Sequence, residues 1–462
     1  MALIRETLAR GEIPLEDSFA YTPTVYPVVH HEWGAGAIAY FLATRFGPGG
    51  IVAAKFVLAA LIALFIFLCL RSRRVPIEVV AFIALVGLPL MQRGFSTIRA
   101  QMYSFAFAAC LLWFFDLDRK GRRGWLLAWI PLYVLWVNLH GGFLVALGFW
   151  GAHWLEQRLR DEPTRHLLVG GILMVGLIAI NPYGLHYYPY LLQAIAMPRP
   201  YIEEWQPVWV SFTHAEMCVL GLSLVLLVYS VTKAGVRNTH GLGIVTVAAT
   251  ASILSTRLVP FYAVAWTCYA LDFIARTRLG EIMRGLLPRL PRFFSLLFLV
   301  LAISFLARGL SYSPWRLLVP DHRLEKYREN AIYPVGAVNY LAEIGFQGNV
   351  MVSFDSGAYV SWKLYPDVRV SLDARYEAAY PPRLLEESMR FYWAEEGWQE
   401  VLSAYPSDLL LVHRGLPLAD EMARHPGWER VYADGAFHLY ARPGLSLPVA
   451  DRGDRTFAGV FP

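Results

Sequence analysis

The sequence predicts a polytopic α-helical membrane protein of about ten spans, with interfacial helices and a C-terminal extracytoplasmic α/β domain. Of its 462 residues, 56% are hydrophobic and only 17% are charged, whereas a soluble domain carries roughly a quarter charged residues. The mean hydropathy is +0.41, and many windows reach the length of about 20 apolar residues that crosses a bilayer. The basic residues also alternate between loops, as they do in membrane proteins.

The predicted spans follow one another closely after the first 50 residues. A shorter apolar run, Gly34–Phe46, has about half the length needed to span and predicts an interfacial or re-entrant helix. The predicted spans lie near residues 51–70, 77–91, 101–116, 125–139, 141–157, 167–180, 215–231, 240–255, 258–274 and 292–308.

Lys and Arg side chains are concentrated in every second loop between these spans. Such loops normally lie in the cytoplasm, so we expect a multi-pass protein of the plasma (inner) membrane, and the net charge of +5 is read as an orientation signal with no nucleic-acid partner. The basic stretches are 71–74, 119–123, 158–165, 233–237 and 276–292. The segments predicted on the outer side are 1–50, 92–101, 138–142, 181–214, 255–257 and the chain after 308.

The composition divides the chain into four predicted segments. Residues 1–50 form an extracytoplasmic loop with the interfacial helix, 51–308 the transmembrane domain, 309–445 a soluble α/β domain, and 446–462 a loosely ordered tail. In the soluble domain the predicted strands are Asn349–Phe354, Val368–Asp373, Asp408–His413 and Ala436–Arg442, and the predicted helices are Ala337–Ile344, Arg383–Ala394 and Leu418–Arg424.

Ionisable side chains near membrane depth on the outer side are candidates for function, because burying them in lipid is costly. Arg99 and Arg257 begin apolar helices on that side, and a guanidinium is a bidentate fork for phosphate or carboxylate. For a single arginine the alternative is snorkelling to lipid head groups. The predicted substrate- or phosphate-binding residues are Arg99, Arg257, His140, Arg93, Asn181, Tyr183 and His31.

Two of these segments have a simpler alternative. His140 lies in a very short turn between two spans, WVNLHGG, and could be a polar cap of that turn. The segment NPYGLHYYP, which contains Asn181 and Tyr183, begins an aromatic loop, and its aromatic side chains could belong to an interfacial belt.

The stretch Ile13–Trp33 is a polar and aromatic cluster before the first apolar run, and its alternative is a plain surface tail. It carries two adjacent carboxylates, Glu16–Asp17, and then the group His30–Glu32. The two histidines could bind a divalent metal, but adjacent side chains in an extended segment point in opposite directions. A metal would therefore need further ligands such as Asp17. No cofactor is assigned, and a divalent metal is left open.

Other ionisable residues and the cysteines are expected to be structural. Asp373, Arg375 and Glu377 follow a predicted strand end, which is a common ligand position in α/β folds, but ion pairs explain them more simply. The four cysteines all fall inside apolar runs and are predicted to be small core residues without metal spacing.

Seven short stretches carry a resemblance to a known superfamily. They are LEDSFAYT (15–22), RAQMYSF (99–105), VNLHGG (137–142), NPYG (181–184), TRLVPFYA (256–263), GAYVSWKLYP (357–366) and SLDARYE (371–377). Together with the layout of spans, they resemble the GT-C-type membrane glycosyltransferases. In those enzymes a helix precedes the acidic first loop, and this chain begins inside that loop, so the helix is expected upstream of Met1 or is absent.

The resemblance implies an enzyme that takes a sugar from a polyprenyl-phosphate carrier on the outer face and transfers it to an acceptor with inversion. It places Asp17 as the general base, with Glu16 as second choice, and Arg99, Arg257 and His140 around the departing phosphate. The implied partners are a polyprenyl-phosphate-linked sugar donor, an unidentified acceptor and membrane lipid. Two alternatives stay open, a transporter or flippase of lipid-linked sugars and a non-catalytic envelope assembly protein.

Overall fold

The structure is a computed structural model that describes residues 1–95, 99–200, 202–286, 317–320 and 333–461, and their side chains except at 82–85, 93, 95, 317–320, 458, 460 and 461. The helices are α1 Ala2–Arg10, α2 Trp33–Ser72, α3 Ile77–Phe95, α4 Gln101–Arg119, α5 Trp125–Leu139, α6 Leu144–Leu159, α7 Arg165–Leu177, α8 Tyr187–Ala196, α9 Val208–Ser211, α10 His214–Ala234, α11 Leu242–Leu254, α12 Val259–Ala275, α13 Arg278–Leu286, α14 Val335–Glu343, α15 Phe354–Leu364, α16 Pro382–Tyr392, α17 Trp398–Ala404 and α18 Leu418–Arg424. The strands are β1 Leu317–Pro320, β2 Gly348–Met351, β3 Val368–Val370, β4 Leu409–His413, β5 Glu429–Ala433, β6 Phe437–Ala441, β7 Ala450–Asp451 and β8 Ala458–Phe461.

The chain folds into two compact units, which we call the α/β unit and the helical unit. The α/β unit consists of Met1–Gly49, Leu185–Met197 and Arg316–Pro462, and the helical unit consists of Gly50–Gly184 and Pro198–Trp315. This division differs from the predicted boundaries, because the N-terminal loop and the C-terminal domain belong to one unit.

Helix α12 is the centre of the helical unit. It packs against α3, α4, α10 and α11, and all its residues from Val259 to Ile274 are buried. Three large aromatic side chains, Tyr262, Trp266 and Tyr269, are completely buried along it. A helix that is apolar on every face is expected in the interior of a large bundle or in a membrane, and α12 occupies the first of these positions within its own unit.

Buried ion pairs hold together one end of the helical unit. Arg73, at the end of α2, binds Asp116 of α4 at 2.8 Å and Asp272 of α12 at 3.3 Å. Asp272 also binds Arg276, one helical turn away, at 3.0 Å. These residues belong to or adjoin the predicted basic loops. Because each carboxylate neutralises at least one guanidinium, the charges can be buried without the penalty of an isolated ion.

The predicted spans correspond to helices as far as the structure describes them. Helices α2–α7 and α10–α12 coincide with the first nine predicted spans, and the tenth, 292–308, lies outside the described residues. Among the described helices, three are long and apolar enough to cross a membrane: Trp33–Ser72, His214–Ala234 and Thr256–Ala275. The count of about ten spans is therefore not confirmed within the described residues.

Helix α2 contains both the predicted interfacial helix and the first predicted span. The two parts meet at Gly47, whose φ of 62° is not helical, and Pro48 follows. Glycine adopts a positive φ without steric cost, and proline has no N–H to continue the hydrogen-bond ladder. The prediction of a separate short helix over Gly34–Phe46 is therefore modified: the segment is helical but runs on into the next helix after this break.

The α/β unit contains a six-stranded sheet in the order β3-β2-β4-β6-β5-β7. The three strands β3, β2 and β4 are parallel, β6 is antiparallel to both β4 and β5, and β7 is parallel to β5. Helices cover both faces of the sheet. In β4, Leu409 and Leu411 pack on the side of α14 and α15, while Leu410 and Val412 pack on the side of α16, α17 and α18, as the two-residue period of a strand requires.

The predicted elements of this domain are present, and several others were missed. Strands β2, β3, β4 and β6 and helices α14, α16 and α18 lie where the sequence predicts them. Helices α15 and α17 and strand β5 were not predicted, and the tail 446–462, expected to be loosely ordered, contains β7 and β8. Helix α15 was missed because its apolar residues do not separate clearly from the strand pattern before it.

The N-terminal loop extends the sheet beyond β3. Ala20 pairs with Val370 in a parallel bridge, with the Tyr21 N–H donating to the Val370 carbonyl at 3.1 Å and the Val370 N–H donating to the Phe19 carbonyl at 3.0 Å. Thr22 donates its hydroxyl hydrogen to the carbonyl of Ser371. The polar stretch that the sequence singles out is therefore an ordered edge of the α/β unit and not a surface tail.

We expect Gly357→Ala to destabilise the α/β unit. A Cβ atom at this position in α15 would lie 1.9 Å from the carbonyl oxygen of Leu372, so α15 and the end of β3 would have to separate, at a cost of about 1–3 kcal/mol or more. Thermal unfolding of the purified protein measures the change. The control is Ala358→Ser at the next, exposed position; equal melting temperatures for the two variants would contradict this packing.

Candidate functional site

Arg375 is the centre of a charged cluster in the α/β unit. Its Nε donates to Asp373 Oδ1 at 2.8 Å and Oδ2 at 3.0 Å, and its Nη2 donates to the Tyr380 hydroxyl at 3.0 Å. Its Nη1 donates to Asp17 Oδ1. One guanidinium thus joins the carboxyl end of β3 to the N-terminal loop, and Asp373 and Arg375, which the sequence assigns to structural ion pairs, do form one.

Asp17, the predicted general base, is fixed by donors on both of its oxygens. Besides the Arg375 contact at Oδ1, its Oδ2 accepts backbone N–H groups of Phe19 at 3.1 Å and Ala20 at 2.7 Å, and its side chain is 0% exposed. Burial by itself would raise the pKa of Asp17, but Arg375 and the Ala20 N–H outweigh it and hold that pKa below its ordinary value. Glu16, in contrast, is exposed.

The two adjacent histidines have different surroundings. His30 is buried, and burial together with Arg375 lowers its pKa to about 3, so its ring is neutral at physiological pH. His31 shares a hydrogen bond of 2.6 Å between its Nδ1 and the Tyr190 hydroxyl, and the two rings stack. Within the described part of the chain no group of three or more His, Cys, Asp or Glu side chains could hold a metal ion, so the divalent metal left open by the sequence has no site there.

A shallow pocket, partly open to solvent, lies beside this cluster. Its walls are mainly apolar and aromatic, and its polar groups include Asp373 and the Tyr380 hydroxyl, both already bound to Arg375. The lining residues are Met197, Phe354, Leu372, Asp373, Tyr376, Tyr380, Pro381, Pro382 and Leu385.

A second charged cluster lies in the helical unit and contains two predicted phosphate-binding residues. Arg99 donates to Oε2 of Glu204, and Arg257 donates to Oε1 of the same carboxylate. The side chains are partly open to solvent, with exposures of 55% for Arg99, 30% for Glu204 and 24% for Arg257. We call this group the arginine clamp.

Hydrogen bonds between three chain segments position the clamp. Gln101 donates from Nε2 to the Arg257 carbonyl at 3.0 Å. Ser255 and Thr256 donate from their hydroxyls to the Glu204 carbonyl at 3.3 and 3.0 Å. The Thr256 N–H donates to the Gln206 carbonyl at 3.1 Å. The backbone on both sides of the ion pairs is therefore held independently of the charged side chains.

The ring of Trp205 contacts Arg257 of the clamp and also a third arginine, Arg199. The guanidinium carbon of Arg199 lies 4.2 Å from its ring centroid and that of Arg257 lies 5.0 Å from it. Arg199 is buried. A guanidinium is attracted to the face of an indole ring. The Trp205 ring therefore orients Arg257 and leaves the N–H donors of that arginine for an anion.

The other predicted site residues have local structural contacts. His140 accepts the Gly142 N–H at its Nδ1, at 2.9 Å, and Ser104 lies 2.7 Å from the same nitrogen, which is the cap of the α5–α6 turn. The Asn181 Oδ1 accepts the Tyr183 N–H at 2.7 Å and so stabilises its own turn. The side chain of Arg93 lies outside the described residues.

The predicted residues thus fall into separate groups. Asp17, Glu16 and His31 belong to the α/β unit, whereas the remaining predicted residues belong to the helical unit, where Glu204 joins Arg99 to Arg257. The sequence analysis missed Glu204, Trp205 and Arg199. A usable signal was present: Glu203 and Glu204 are carboxylates in the same predicted outer loop as Arg199, on the side that carries Arg99 and Arg257. Comparison with protein-family models and with curated proteins gives no match to this chain.

We expect Asp17→Ala to lower the stability of the α/β unit by about 1.5–3 kcal/mol, because Arg375 loses one of its two carboxylates while Asp373 still neutralises its charge. The folded-state pKa of Asp17 lies below its ordinary 3.8. The ion pair therefore stabilises the fold above about pH 4, and this stabilisation is lost as the pH falls through the folded-state pKa.

Unfolding measured between about pH 3 and pH 7 tests both statements. The variant should lose most at neutral pH and converge with the wild type in acid. The matched control is Glu16→Ala at the adjacent exposed carboxylate, which should change the unfolding free energy by no more than about 0.5 kcal/mol. A pH-independent difference between Asp17→Ala and the wild type would contradict the assigned ion pair.

Proposed function

We propose that the protein is a GT-C-type membrane glycosyltransferase that moves a sugar from a polyprenyl-phosphate carrier to an acceptor on the outer face of the plasma (inner) membrane, with inversion. The observation that carries the proposal is the arginine clamp: Arg99 and Arg257, far apart in sequence, converge on a single carboxylate. Two guanidiniums that hold one small anion are suited to a phosphate group. The acceptor is not specified by any observed contact.

The surroundings of the clamp favour a lipid-linked phosphate. Trp209 and Val210 of α9, next to the clamp in sequence, are 64% and 63% exposed. Ser211 ties this short helix to the Glu203–Trp205 turn through a 2.8 Å bond to the Glu203 carbonyl. A ligand with a charged head and an apolar chain satisfies both the guanidiniums and these apolar side chains. The helices long and apolar enough to cross a membrane are consistent with the same ligand.

In the proposed reaction the bond between the sugar C1 and the phosphate oxygen breaks, and the phosphate leaves with the electron pair. Arg99 and Arg257 stabilise the charge that grows on it. An acceptor oxygen forms the new bond to C1 from the opposite side and gives its proton to a general base.

Of the two adjacent carboxylates of the N-terminal loop, Glu16 and Asp17, we assign the role of general base to Glu16. A base must reach the acceptor hydroxyl and have an oxygen free to take the proton. The side chain of Asp17 is fully buried and both of its oxygens accept hydrogen bonds, so it would first have to leave Arg375, whereas Glu16 is exposed. We assign Asp17 the task of holding the loop in place. Its sequence-based assignment as base stays a prediction that the variants described next distinguish.

We expect Glu16→Gln to lower the transfer rate about 10²–10⁴-fold without changing the melting temperature, while Asp17→Asn lowers the melting temperature as well. The assay measures polyprenyl phosphate released from a panel of polyprenyl-phosphate hexoses and pentoses by the purified protein. If a folded Asp17→Asn protein is inactive and Glu16→Gln is fully active, Asp17 is the base instead. If the wild-type protein releases no polyprenyl phosphate from any donor but, reconstituted in vesicles, moves the donor lipid across the bilayer, the protein is a flippase.

We expect Arg99→Gln and Arg257→Gln each to slow release of polyprenyl phosphate about 10²–10³-fold, because each removes a charged donor aimed at the leaving group. The matched control is Arg158→Gln, since the Arg158 side chain is 63% exposed and its ion-pair partner Asp161 is also exposed. Undiminished release by both clamp variants would contradict the proposed phosphate site.

A further inference from the structure

Glu204 occupies the place in the arginine clamp where an anionic ligand would bind. Each of its carboxylate oxygens takes one guanidinium, Oε2 from Arg99 and Oε1 from Arg257. Two non-bridging oxygens of a phosphate can be shared between two arginines in the same way. The carboxylate therefore has the charge and the shape of a partial phosphate mimic.

We propose that Glu204 is an internal competitor that closes the clamp in the absence of ligand and is displaced when a lipid phosphate binds. The inference rests on the proposed function, because it takes Arg99 and Arg257 to be phosphate ligands. It adds a regulatory role for a carboxylate that the transfer reaction itself does not require.

The local structure allows the side chain to leave without unfolding the turn. The Glu204 carbonyl is held by the hydroxyls of Ser255 and Thr256, so the backbone keeps its place when the carboxylate rotates away. The Glu204 side chain is 30% exposed, so its carboxylate can rotate into solvent. Trp205 lies close to Arg257 and continues to orient that guanidinium after the ion pair is broken.

The Glu204 carboxylate and a bound phosphate compete for the same two guanidiniums because both are negatively charged. A phosphate cannot share the two guanidiniums with a carboxylate at contact distance, because like charges this close disfavour each other. Bound Glu204 therefore lowers the affinity of the clamp for every anion. A lipid phosphate gains further affinity through apolar contact, which free inorganic ions lack, so it binds the clamp more tightly than free phosphate, while the competitor weakens the binding of both.

The test measures binding of inorganic phosphate and of farnesyl phosphate to the full-length protein in uncharged detergent by calorimetry. We expect Glu204→Gln, which keeps the size of the side chain and removes its charge, to bind both probes about tenfold more tightly than the wild type. Farnesyl phosphate should bind more tightly than inorganic phosphate to both proteins. Equal affinity for the two probes would overturn the lipid assignment.

The matched control is Glu203→Gln, one residue earlier in the same turn and exposed, which should leave both affinities within about twofold, since screening weakens an exposed charge. Unchanged or weaker binding by Glu204→Gln, with Arg257→Gln still weakening it, would overturn the competitor role and leave the phosphate site standing. Failure of the wild type and of Glu204→Gln to bind either probe would overturn the clamp and the proposed function together. A melting temperature for each variant confirms that it is folded.

Discussion

An arginine that leaves water keeps its charge, and the fold must then supply an anionic or aromatic partner for it. Both candidate sites depend on this constraint. In the α/β unit, Arg375 is matched by Asp17 and Asp373, and this pairing attaches the N-terminal loop to the edge of the sheet. In the helical unit, Arg257 is matched by Glu204 and by the ring of Trp205, which brings separate chain segments together.

The two clusters differ in how easily their ion pairs can exchange. The partners of Arg375 are almost completely buried, at 0% for Asp17 and 5% for Asp373, so breaking those pairs leaves charges in an apolar environment. The arginine clamp is more open, at 55% for Arg99 and 30% for Glu204, where water can replace a lost partner. This difference is why we assign a holding role to the first cluster and ligand binding to the second.

The sequence could predict those site residues that are marked by their local sequence, and it could not predict those whose role depends on a partner far away along the chain. Arg99 and Arg257 were selected because both begin apolar segments on the same predicted side, a property of local sequence, and the structure places them on one carboxylate. Glu204 was missed because nothing near it in sequence indicates its partners: it is 105 residues from Arg99. Asp17 was selected from the sequence as a candidate base, but its ion pair was not foreseen, since Arg375 is 358 residues away.

The sequence by itself determined the nine long apolar helical segments that the structure describes, the α/β character of the C-terminal region and several of its strands, because hydropathy and periodicity act over a few neighbouring residues. Only the tertiary structure decided that the N-terminal loop joins the sheet beside β3, that α12 is buried at the centre of its unit, and that Glu204 closes the arginine clamp. Those features are pairings between residues that are distant along the chain, and charge and hydrogen-bond partners are selected by proximity in the folded state, which local patterns do not encode.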